Sequence, residues 1–120
     1  MEQIYKTIDV IISAQKKARK ENNFLALMVN AEALLEYIPQ LIEYSINQEH
    51  CYRKYEAELS NKTDPVSMKS FTSSYCDTQA KATEEYKNWQ RAKQTIDWMY
   101  EVVNMSKKLA GTVLKDEQNG

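Results

Sequence analysis

ATEEYKNWQRAKQTIDWMYEVVNMSKKLA, residues 82–110, sets the fold class of this chain. Read in heptads, one register position carries Ala82, Trp89, Ile96, Val103 and Ala110. The position three residues on carries Glu85, Ala92, Met99 and Ser106. Alternating steps of three and four keep side chains on one face of an α-helix. At ~1.5 Å per residue such a helix is about 40 Å long, and a stripe of that length has to be covered by other helices. The repeat predicts coiled-coil-like packing, with Tyr86 and Tyr100 beside the seam. The expected architecture is all-α: an antiparallel bundle of four main helices whose last member is this long one.

Working toward the N-terminus, Asp77–Thr78 is expected to bend the chain before the long helix begins. Ser70 to Thr78 is rich in Ser and Thr, which favour turns over helix interiors. Asp64 followed by Pro65 reads as a helix start, an N-cap with proline at the first helical position. Val66, Met68 and Phe71 are expected to form a short helix after it. Leu41 to Ser60 is helical by the spacing of Leu41, Tyr44, Gln48, Cys51, Tyr55 and Leu59, a face rich in tyrosine and suited to a half-exposed contact. Pro39 lacks an N–H and disfavours helical geometry at Ile38, so it is expected to kink or break the chain there. Phe24 to Ile38 is apolar over a wide face and reads as the central helix. Asn22 or Asn23 is expected to cap it. Glu2 to Lys20 is the first helix, with Ile4, Ile8, Ile11, Ile12 and Ala18 on one face and Gln15 interrupting it. Gly111 is the expected stop of the last helix. One domain is therefore expected over 1–111, with a frayed tail over 112–120.

Composition narrows the function classes. The chain has 120 residues, 42% hydrophobic and 28% charged, with two Gly and two Pro, a mix that suits few long helices with short connections. The net charge of −1, from 16 basic and 17 acidic residues, encodes no bulk attraction to nucleic acid or to an anionic membrane. The apolar run Phe24–Ile38 falls short of the ~20 residues of a membrane span, so no membrane association is expected. Cys51 and Cys76, in a helical chain with no signal-peptide pattern, fit a reducing, cytoplasmic setting.

Chemistry-bearing patterns are sparse. His50 and Cys51 are neighbours, and neighbours on a helix point about 100° apart rather than at each other. A Glu-x-x-His metal motif is broken by Asn47, where the Glu would stand before His50. No Asp or Glu has another acidic residue three positions on, as the helical nucleotide pyrophosphohydrolases require. No Gly-rich phosphate loop is present. No cofactor, metal or catalytic residue is assigned. The remaining signal is cations among aromatics: Lys87, Arg91 and Lys93 beside Trp89, and Lys16, Lys17, Arg19 and Lys20 at the end of the first helix. Stacking aromatics beside cations is how single-stranded nucleic acid is held. Lys107 and Lys108 would join the first-helix cluster if the first and last helices ran parallel. Trp98 lies off the main stripe and needs a cover, either a second helix or a partner.

From Tyr52 to Leu109 the layout is YRKYEAEL, a Ser-rich connector, then AKATEEYKNWQRAKQTIDWMYEVVNMSKKL. It resembles small uncharacterised helical proteins of tailed phages, some encoded near recombination functions. More distantly, its plan is similar to phage recombination mediators, which are oligomeric and bind single-stranded DNA. The resemblance spans about half of the chain, implies an accessory role in DNA handling, and carries over no functional residue.

The sequence thus reads as a non-enzymatic, self-associating interaction or adaptor protein, a homodimer in the simplest case, with a further protein partner that it does not name. Trp89, Ile96, Trp98, Met99 and Val103 are the expected interface. A second reading is a single-stranded DNA binder through the seven cations Lys16, Lys17, Arg19, Lys20, Lys87, Arg91 and Lys93. A third is a helical hydrolase whose carboxylates the spacing does not reveal.

Overall fold

In the computed structural model, backbone is described from Met1 to Asn119 and side chains from Met1 to Thr112. The fold is all-α, with four helices: α1 (Glu2–Lys20), α2 (Phe24–Ser60), α3 (Ser73–Lys81) and α4 (Glu84–Asn119). The helix count agrees with expectation, but several boundaries fall elsewhere. Phe24–Ile38 and Leu41–Ser60 are one helix, with Pro39 inside it. Pro39 faces solvent, where water can satisfy the carbonyl that its missing N–H leaves unbonded. Burial of Leu34, Ile38 and Leu41 on the opposite side offsets that one lost bond. The continuous helix is long and apolar enough, by length and composition alone, to cross a membrane, with a best-window mean hydropathy of 1.3. Core helices of globular proteins share that property, and α2 buries Leu27, Ala31, Leu34 and Ile38 against its own chain.

No helix follows Pro65. Asp64 closes a tight loop instead: its carboxylate accepts from the Val66 N–H at 2.8 Å, and its carbonyl accepts from Met68. Met68 takes a positive φ of 59°, and Thr63 pairs with Ser70 in an isolated bridge. The Ser/Thr-rich segment is the helical one. Thr72 caps α3 by accepting from the Tyr75 N–H at 3.1 Å, Cys76 and Ala80 bury one face at i,i+4, and Lys81 pairs with Asp77 at 3.1 Å. The break falls at Ala82–Thr83 rather than Asp77–Thr78. There the Thr83 hydroxyl accepts from the Tyr86 N–H, and Glu84 and Glu85 sit in the first turn of α4, where the helix dipole favours them. At the other end, α4 continues past Gly111 to Asn119. Much of the tail expected over 112–120 lies outside the residues whose side chains are described.

The chain forms two compact units: Met1–Gln40 with Thr95–Gly120, and Leu41–Gln94. In the first, α1 and the start of α2 make a tight hairpin. Asn22 adopts a left-handed φ of 50°, a conformation that asparagine tolerates better than most residues. The Asn23 N–H reaches back to the Ala18 carbonyl and the Asn22 N–H to Arg19, the six-to-one and five-to-two pair of a Schellman ending. Asn23 then caps α2, accepting from the Ala26 N–H at 3.1 Å. Ala18, Leu27 and Ala110 meet in a core supplied by all three helices. Ile96, Met99, Val103, Ser106 and Ala110 of α4 are buried, the register read from the heptads.

In the second unit, α2 and α4 run antiparallel. Gln48 accepts from the Asn88 side chain at 3.1 Å, and Tyr52, four residues later, meets Tyr86, two residues earlier.

Candidate functional site

The first unit carries an open apolar groove between α1 and α4, enclosing about 250 Å³. From α1 come Ile12, Gln15, Lys16 and Arg19, a stripe at steps of three, one and three. From α4 come Trp98, Glu101, Val102, Met105, Ser106 and Leu109, again at the spacing of one helix face. Leu27 of α2 forms part of the floor. Because α1 is antiparallel to α2 across the hairpin, and Arg19 lies against Met105 while Ala18 lies against Ala110, α1 and α4 run parallel here. The C-terminal turn of α1 therefore lies beside the Lys107–Ala110 turn of α4. Lys16, Lys17, Arg19, Lys20, Lys107 and Lys108 gather at one end, all exposed. Among the described residues none of the six has an ion-pair partner.

Three features distinguish this groove from an ordinary interhelical furrow. Trp98 is 42% exposed and Met105 53%, so two large apolar side chains face water together on one wall. Arg19 Nη1 finds a thioether, Met105 Sδ at 3.9 Å, where a guanidinium would normally take a carboxylate. Gln15, 4% exposed, donates through Nε2 to the Leu27 carbonyl at 2.8 Å and leaves its buried Oε1 without a hydrogen-bond partner. Such an orphan acceptor costs about 1–3 kcal/mol.

The residues expected at an interface separate accordingly. Ile96, Met99 and Val103 are buried within the chain, where the intramolecular core uses them. Trp98 alone of the five remains half-exposed in the groove. Trp89 lies in the second unit, in an aromatic cluster with Tyr52 and Tyr86 at centroid distances of 5.2 and 5.8 Å.

Cations already occupy the rings of that cluster. Arg53 lies 5.1 Å from the Tyr52 ring centre and 6.0 Å from that of Trp89, and Lys93 lies 4.8 Å from Trp89. Burial pushes the Tyr52 phenol above its ordinary value of 10.0; the Arg53 cation pulls it back down, and Glu49 adds to the rise. Lys87 approaches Glu84 at 3.9 Å, and Arg91 is exposed. The nucleic-acid candidates thus fall into two sets: Lys16, Lys17, Arg19 and Lys20 in the first unit, and Lys87, Arg91 and Lys93 in the second.

His50 and Cys51 are exposed and Cys76 is buried. Among the described residues no three His, Cys, Asp or Glu side chains gather to hold a metal ion. No known protein family, characterised protein or solved structure matches this chain.

Proposed function

We propose that this is a non-enzymatic, self-associating helical interaction protein, a cytoplasmic adaptor or accessory factor of the kind that tailed phages encode. The observation that carries the reading is the wall of the groove, where Trp98 and Met105, two turns apart on one face of α4, both stand exposed. Tryptophan is the residue type most enriched among the anchors of protein interfaces, and exposed apolar side chains clustered on a concave surface are characteristic of docking sites. Light scattering over a concentration series tests the proposal. The expected result is a mass above that of one 14.0 kDa chain, falling toward it on dilution; a monomeric mass at every concentration refutes it.

One observation favours a second reading, binding of single-stranded nucleic acid. The six cations at the α1 and α4 ends, none with an ion-pair partner among the described residues, stand at one end of a groove whose other end carries Trp98, and charge with a stacking surface is what such ligands use. Binding of a labelled oligonucleotide that weakens steeply with salt would establish it, and no binding at low salt would remove it.

A further inference from the structure

The outward face of α2 in the first unit is the counterpart of the groove. Leu25 and Val29 are 69% and 54% exposed, and Glu32 and Glu36 follow them at the spacing of one face, both exposed. The stripe is apolar at its start and acidic at its end, and among the described residues neither glutamate has an ion-pair partner. The groove has the complementary order. Its α4 wall is apolar from Trp98 through Met105 to Leu109, broken by Glu101 and Ser106, and its cations, Lys16 and Arg19, stand on the α1 wall toward the end away from Trp98. Groove and ridge each span eleven residue steps, about 16 Å of helix.

We infer that the groove of one copy receives the Leu25–Glu36 ridge of a second copy. In that seating Leu25 and Val29 lie toward Trp98, and Glu32 and Glu36 lie toward Lys16 and Arg19. The incoming α2 runs parallel to the α1 and α4 that hold it. The inference rests on the self-association proposed above and gives it a geometry.

Leu27 helps to floor the groove, while Leu25, two residues before it, points about 200° away around the same helix. A chain therefore presents groove and ridge on different sides. The contact is heterologous, so copies join head to tail into a ring or an open chain instead of closing as a two-fold dimer.

Charge reversal tests this on the full-length chain. E32K/E36K makes the ridge basic, and K16E/R19E makes the groove acidic; all four side chains are exposed, so both variants fold. Each variant alone should associate at least about tenfold more weakly than the parent, because two attractions become two repulsions. An equimolar mixture should recover the assembly, since each basic face then meets an acidic one, and its masses should extend beyond two chains. If both variants assemble like the parent, the groove-and-ridge contact is overturned while self-association stands. Weakening of both without recovery on mixing also overturns it. A parent chain that is monomeric throughout overturns the contact and the proposed function together.

Discussion

Met99 and Trp98 are neighbours in sequence, and replacing each with alanine should have opposite consequences. Met99 is fully buried, 0% exposed, in the core of the first unit. Truncating a buried methionine to alanine costs 2–5 kcal/mol, about 3 at a site with no solvent to fill the space. For 120 residues the entropy of unfolding near the midpoint is about 0.25 kcal/mol/K, so Met99→Ala should lower Tm by about 12 °C. Trp98 makes its contacts along an open groove at 42% exposure. Trp98→Ala should cost folding less than about 1 kcal/mol, within about 4 °C of the parent, and should weaken assembly by ~1–3 kcal/mol. The assay is thermal unfolding followed by far-ultraviolet circular dichroism. It is run dilute, because an assembling chain gains apparent stability from its partner. A Met99→Ala chain melting within about 2 °C of the parent, or a Trp98→Ala chain falling further than Met99→Ala, would mean that α4 is rotated by a residue from the face described. The core and the groove would then both be misplaced.

Pro39→Ala should raise stability by about 1–3 kcal/mol, since it restores an N–H to the interior of α2 at an exposed position; a lower Tm would show that α2 needs a break there. Gly111→Ala should add up to about 1 kcal/mol, because the new methyl group would meet nothing within 4 Å and α4 passes through this position. A loss of stability would restore Gly111 as the helix end. Native chain should show one thiol, Cys51, reacting rapidly with a disulfide reagent, and a second, Cys76, only after denaturation. Two fast thiols would place Cys76 at the surface.

The helix α4 was legible because its repeat rests on many residues: Ala92, Ile96, Met99, Val103, Ser106 and Ala110 are all buried where the three-four spacing puts them. Gln15 was legible by position and not by type. The step from Ile12 to Ala18 passes through it on the buried face, yet a glutamine reads as an interruption until a carbonyl such as that of Leu27 is brought to its amide. Rules that concern one or two residues fared worse. Pro39 and Gly111 are breakers in isolation, but burial on both sides of Pro39 outweighs one lost hydrogen bond. The serines and threonines of α3 were misread because Thr72 supplies the cap while Cys76 and Ala80 supply the buried face. Of the groove, the sequence showed Trp98 off the main stripe. It did not show Arg19 against Met105, because that pairing depends on α1 and α4 running parallel, which no local pattern encodes.

Tryptophan emission reads the groove most directly. In a Trp89→Phe chain Trp98 is the sole tryptophan, and its spectrum can be followed as the protein is diluted through the range where its mass falls. Emission should shift to longer wavelength in step with dissociation, as the indole passes from a partner's surface to water. A spectrum that stays constant while the mass changes would show that copies of this chain meet elsewhere, and that Trp98 does not join them.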